Sequence, residues 1–307
     1  MLRALQAGSV GAVLALTRRL SSETASELGG ALVARIGPRT RQHELVERNL
    51  APAFPDRDAG WVRATARAVR RHVGRTLGES PHLPRITGPE MRERFEFRCT
   101  FPLPEVTRGG RGFVLVGMHQ PNWNLHAVAG ALGGFPLHVV CAEPKNPALE
   151  ARIARSRNTL PRGFVHLRDT VRRGLALPGS GQWLGLFVDH RIDTGEPVTF
   201  FGHPAPTTIV PARLADRFGT GLVPVRLERL EVMRFRRTLQ DPVRPDPALR
   251  DPRERAVEMM EGVHRVFERG VRERPDEWFC IERRWPKPVF RSTDGVSAAM
   301  RVAAAGA

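Results

Sequence analysis

The stretch from Gly112 to Leu132 constrains this chain more than any other. Phe113 to Val116 form an unbroken apolar run without alternation, the pattern of a strand covered on both faces in a parallel sheet. The run breaks at Gly117, and Pro121 marks a short turn. Asn122 is placed to cap a helix on which Leu125, Val128, Ala129 and Leu132 recur at helical spacing. The stretch reads strand, loop, helix, with His119 in the loop. Open α/β sheets bind ligands beyond the carboxyl ends of their strands, where the next helix directs its free amides. An imidazole at that place can take a proton from a hydroxyl while amides steady negative charge, or it can simply hydrogen-bond the turn.

The same pattern continues downstream. Residues 137–141, 164–167, 183–188 and 221–227 read as strands, and segments 148–158, 169–177 and 212–218 as the helices between them. A further strand over 233–240 and an amphipathic helix over 253–272 follow. Alternation of this kind predicts an α/β fold with a mainly parallel central sheet flanked by helices. The strand ends would then collect His119, Glu143, Arg168, Asp189 and Arg191 along one edge. Arg191 can fork onto a phosphate or sugar oxygen while Asp189 accepts hydroxyls, or the two can be ordinary loop charges. Residues 194–208 read as a long loop in which Phe200 and Phe201 either line a groove or plug the core.

Charge narrows the choice of partner. Against 32 Asp and Glu stand 48 Lys and Arg, a formal net charge of +16, which suits anionic partners such as lipid headgroups, phosphorylated lipids or an acidic carrier. The aromatic and basic residues do not interleave as in single-strand binders, so no nucleic acid is expected. Three cysteines without C-x-x-C spacing fit a reduced compartment and give no metal-ligand pattern. Residues 4–17 carry no charge and lie between Arg3 and Arg18, but they are too short for a span of about 20 residues. They suit a helix lying in a membrane interface or packed on the domain. Residues 58–77 form a second amphipathic segment, with Val62, Ala66, Val69, Val73 and Leu77 on one face.

Several motifs share one family's pattern. His119-Gln-Pro-Asn-Trp-Asn124 resembles the H-x4-D/E motif of glycerolipid acyltransferases, in the H-x-x-N-W-E form of bacterial late lipid A acyltransferases. Arg48-Asn-Leu through Phe54-Pro55, Lys145-Asn-Pro-Ala-Leu149, Phe200-Phe-Gly-His-Pro-Ala205 and Pro275-Asp-Glu-Trp-Phe279 with Arg283-Arg-Trp285 resemble further segments of that family, in its order. Asn124 stands where the family's acid is expected. An amide can hold an imidazole tautomer but cannot stabilise its charged form. Asp189 or Glu143 is the alternative source of that charge.

The resemblance implies a fatty acyl transfer from an acyl thioester, with acyl-carrier protein as donor, to a hydroxyl of a phosphorylated glycolipid acceptor such as a lipid A precursor. It implies His119 and Asn124 as the catalytic pair, Arg168, Asp189, Arg191 and Arg213 as substrate-binding residues, and neither metal nor other cofactor. The place implied is the cytoplasmic face of the bacterial inner membrane, at an anionic membrane surface. The alternatives are an acyl-CoA-dependent enzyme acting on another glycolipid or phospholipid, and a catalytically impaired lipid-binding homologue. The expected organisation is a membrane-associating helical region over 1–84, an acyltransferase domain over 85–291 and a disordered tail over 292–307.

Overall fold

The computed structural model describes residues 17, 19–82, 92–102, 112–141, 164–166, 169, 172–173 and 176–290. The 4–17 segment up to residue 16, Glu143, Lys145 to Leu149, Arg168 and the tail over 292–307 lie outside them.

Three helices open the described chain: α1 (Ser22–Ile36), α2 (Arg41–Ala53) and α3 (Ala59–Glu79). Side-chain caps set two of the starts, Ser21 accepting from the Thr24 N–H and Asp58 from the Trp61 N–H. Strands β1 (Phe95–Cys99) and β2 (Val114–Gly117) follow, then α4 (Leu125–Leu132), β3 (Leu137–Cys141), β4 (Phe164–His166) and β5 (Trp183–Phe187). The chain continues through β6 (Glu196–Phe200), β7 (His203–Thr207), α5 (Val210–Phe218), β8 (Leu222–Glu231), β9 (Arg234–Leu239) and α6 (Pro252–Glu273).

Seven strands form one sheet in the order β1-β9-β8-β2-β5-β3-β4. From β8 through β2, β5 and β3 to β4 every pairing is parallel, whereas β9 runs antiparallel to β8 and carries β1 parallel to itself. The sheet is therefore mixed and mainly parallel, with the reversed pair at one edge. Strand β2 is buried at every position, as its unbroken apolar run requires. Its Val114 and Val116 join Leu184 and Leu186 in the core on one face, while Leu115 joins Trp183, Val223 and Val225 on the other. Each such side chain contributes about 1.5–3 kcal/mol through burial.

Residues 194–208 are not a long loop. They form the antiparallel hairpin β6–β7, turned by Phe201 at φ 50° and Gly202 at φ 74°, two consecutive positive angles that match the twist of a tight hairpin. Prolines within both strands hide the alternation from a sequence reading. Phe200 and Phe201 are buried, Phe200 stacked on Trp285 and Phe201 on Trp278, so both fill the core. Strand β1 and the helices α1 and α2 had no strong sequence signal. Of the three cysteines only Cys280 is buried, and Cys99 is exposed.

Helices α1 and α3 pack backbone against backbone. A Cβ added at Gly74 would lie 2.2 Å from the Gly29 carbonyl oxygen, and one at Gly78 2.1 Å from that of Ala25. No helix among the described residues is long and apolar enough to cross a membrane. Gly74→Ala should force the two helices apart and destabilise the protein by about 2 kcal/mol, although alanine is the better helix former. Urea unfolding checks this, and an unchanged or raised midpoint would refute the close approach.

Candidate active site

His119 lies two residues beyond the end of β2, and Asp189 two residues beyond the end of β5. The two strands pair in parallel with Gly117 opposite Phe187, and the Val188 N–H extends the ladder by donating to the Gly117 carbonyl at 3.1 Å. Both loops therefore leave the sheet at the same level, and their second residues meet.

The contact is twofold. His119 Nδ1 is 2.8 Å from Asp189 Oδ1, and the His119 backbone N–H donates to Oδ2 at 3.0 Å. The His119 carbonyl accepts from the Phe279 N–H at 2.8 Å. Backbone and ring are thus held on three sides. The Asp189 side chain is 2% exposed and that of His119 16%. With Nδ1–H donated to the carboxylate, the Nε2 lone pair is the free proton acceptor of the ring.

Electrostatics reinforce the pairing. Burial opposes ionisation of Asp189, but the field and hydrogen bond of His119, with a smaller contribution from His190, outweigh it and hold the carboxyl below its usual range. Asp189 is therefore ionised at neutral pH. The ring of His190 stacks on that of His119 with centroids 4.0 Å apart and planes 6° from parallel. Burial and then the neighbouring His119 hold His190 below its ordinary pKa. Trp123 and Phe187 contact other sides of the His119 ring, at 5.6 and 4.6 Å.

The expected substitution of the family's acid by Asn124 does not hold: the carboxylate beside His119 is present, as Asp189. Asn124 instead turns to Asn122, whose Oδ1 accepts from both the backbone N–H and the side-chain Nδ2 of Asn124 at 3.2 and 3.1 Å. The physical reason is that Asn124 lies in the turn that starts α4, whereas Asp189 arrives from the neighbouring strand. The first amides of α4 are also engaged, Leu125 N–H with the Asn122 carbonyl and His126 N–H with that of Trp123.

The remaining candidates are dispersed. Arg191 pairs with Asp193, while its buried Nε has no hydrogen-bond partner in the structure. Arg213 is exposed on α5, and Arg168 lies outside the described residues. His119, Asp189 and His190 offer possible metal-ligand atoms within 4.8 Å of one another. However, Asp189 already accepts from His119 through both oxygens, and the two stacked imidazoles hold their nitrogens in separate, nearly parallel planes. The arrangement suits a base and its carboxylate better than a shared cation.

Two buried clamps not anticipated from the sequence support the loops. Glu79, fully buried at the end of α3, accepts from Ser26 Oγ at 2.6 Å and Asn122 Nδ2 at 2.9 Å, and pairs with Arg229 of β8 at 2.7 Å. The Asn122 side chain that anchors Asn124 is thereby fixed to the N-terminal helices. Arg284 donates to the carbonyls of His190 and Pro206 and to Thr207 Oγ1. Asn49 in turn receives the Arg284 N–H and donates to the carbonyls of Cys280 and Glu282. The R-N-L and R-R-W motifs therefore meet in space. Glu79 had one faint signal, a carboxylate just past the apolar stripe of α3.

An imidazole backed by a buried carboxylate at the ligand edge of an α/β sheet defines a class of enzyme that activates a hydroxyl or water. The family model for bacterial lipid A biosynthesis acyltransferases matches residues 2–287, and the chain belongs to that family. It is accordingly an acyltransferase related to lipid A biosynthesis. No curated protein sequence matches it.

Removing one partner of a buried ion pair strands the other charge. Glu79→Gln should therefore lower unfolding free energy by about 3 kcal/mol, measured by urea denaturation. A loss comparable to that of an exposed glutamate would refute the clamp.

Proposed function

We propose that the protein transfers a fatty acyl group from an acyl thioester to a hydroxyl of a lipid A precursor or related glycolipid, with His119 as general base. The observation that carries this reading is the contact between His119 Nδ1 and the buried Asp189 carboxylate. His119 Nε2 takes the hydroxyl proton as the oxygen attacks the thioester carbonyl carbon. The tetrahedral intermediate then collapses, the carbon–sulfur bond breaks, and the imidazolium returns its proton to the departing thiolate. Asp189 holds the tautomer and stabilises the imidazolium, the two tasks that an amide at position 124 could only half perform.

Acyl-carrier protein is the donor we favour, because its acidic character complements a chain of net charge +16. Arg168, Arg191 and Arg213 are proposed to bind the phosphorylated acceptor, Arg191 by leaving Asp193 for a phosphate oxygen. An acyl-CoA donor and a different glycolipid or phospholipid acceptor are the runner-up within the same chemistry. The non-catalytic reading loses its main support with the carboxylate in place.

We place the enzyme peripherally on the cytoplasmic face of the inner membrane, with residues 1–84 as its membrane-associating region and 85–291 as its acyltransferase domain. Leu28, Leu32 and Ile36 are exposed at 55, 55 and 48% on α1, spaced four residues apart in one stripe. Leu77 of α3 is exposed as well, and arginines 35, 39 and 71 lie on the same helical region. An apolar stripe with flanking arginines suits an anionic bilayer surface.

Transfer of labelled acyl groups from acyl-carrier protein to a tetra-acylated lipid A precursor tests the chemistry. His119→Ala should lower the rate by about 10³-fold or more and Asp189→Asn by about 10²–10⁴-fold, with folding intact, whereas Asn124→Ala should cost less than about tenfold. An unchanged rate in His119→Ala overturns the mechanism, and a larger loss in Asn124→Ala than in Asp189→Asn returns the acid's role to the H-x4 position. Replacing Leu28, Leu32 and Ile36 together by serine should weaken sedimentation with phosphatidylglycerol vesicles about tenfold or more. Unaltered sedimentation would remove this stripe from the membrane face.

A further inference from the structure

Arg237 of β9 is an anomaly in this core. It is 1% exposed, and Nε, Nη1 and Nη2 all lack a hydrogen-bond partner in the structure. The guanidinium carbon lies 5.9 Å from the centroid of the Phe135 ring, too weak a contact to offset desolvation of a full charge. Burial alone pulls its pKa down to about 10, which leaves it cationic at neutral pH. By contrast, the buried Arg229 has its carboxylate in Glu79, and the buried Arg284 has carbonyls and a hydroxyl.

Arg237 lines a cavity of about 20 Å³. Its other walls include Leu115, Gly117, Phe187, Val225 and His126, and none of its lining residues carries a carboxylate. His126 is also buried, and its Nε2 also has no hydrogen-bond partner. Burial, then the charges of Arg237 and His119, push His126 down to about 3, so the ring is neutral and can present one N–H. The chamber thus contains one unpaired cation and one unpaired imidazole nitrogen on apolar walls. The Phe187 ring touches both this cavity and the proposed catalytic imidazole, its centroid 5.4 Å from that of His126 and 4.6 Å from that of His119.

We propose that this cavity binds a single halide-sized anion, chloride being the physiological one, held between the Arg237 guanidinium and His126 Nε2–H. A water needs roughly 10–15 Å³ of such space, so the cavity has room for one occupant of about that size. Water would satisfy the hydrogen bonds but leave the charge uncompensated; a halide does both. The anion belongs to the fold's own structure rather than to the acyl or glycolipid substrates, so the proposal stands apart from the transfer chemistry.

The test is thermal unfolding of the full-length protein in sodium chloride or bromide against sodium gluconate at equal ionic strength, together with anomalous diffraction from crystals grown in bromide. A bound anion stabilises by mass action, so Tm should rise by about 5 °C at roughly a hundredfold excess over Kd. Arg237→Met should abolish the halide dependence, and the wild-type crystal should show one anomalous peak between Arg237 and His126. An equal halide response in wild type and Arg237→Met means a general salt effect and overturns the proposal. An empty anomalous map at Arg237 overturns it as well, and that measurement needs no variant to fold.

Discussion

The in-register parallel pairing of β2 with β5 is the constraint on which the rest of this structure depends. Gly117 opposite Phe187 sends two loops off the sheet at one level, and His119 and Asp189 meet because each is the second residue out. A slip of one residue would invert the faces of the strand and carry the carboxylate away from the imidazole. Burial of β2 on both faces resists such a slip, because the core on each side accepts only one alternation. The geometry of the His119–Asp189 pair is thus a consequence of sheet register and owes little to the loops themselves.

Around that pair the protein buries an unusual amount of charge. Glu79 with Arg229, Arg284 with its carbonyls, and Asp189 behind the partly exposed His119 are removed from water. Buried ion pairs add little stability over apolar packing, but losing one partner is costly, so each pair allows few alternative arrangements. Glu79 fixes Asn122 and through it the turn at Asn124, and Arg284 fixes the carbonyl of His190. The loop on each side of the site is therefore clamped from beneath. Arg237 departs from this scheme, since its buried guanidinium has no hydrogen-bond partner in the protein.

Much of the fold could be read from the chain, because its signals are local. The apolar run before Gly117, the helical spacing after Asn124 and the alternation of strands and helices each span a few residues, and the sheet has the expected mainly parallel form. The hairpin β6–β7 could not be read, since prolines in both strands mask the period of two and its turn relies on a phenylalanine at positive φ. Strand β1 is hidden for another reason: on an edge, its Phe95-Glu-Phe-Arg-Cys99 sequence is largely exposed and carries no apolar run.

By itself the sequence determined the class of fold, the place of His119 at a strand end, and a family pattern whose motifs run in order through most of the chain. It did so because periodicity and motif spacing act over short distances. Which carboxylate stands against the histidine was decided only by tertiary structure. Asn124 is five residues from His119 and turns away to Asn122; Asp189 is 70 residues away and in contact. Hydrogen bonding between parallel strands converts that long separation in sequence into adjacency, and no spacing along one loop can reveal it.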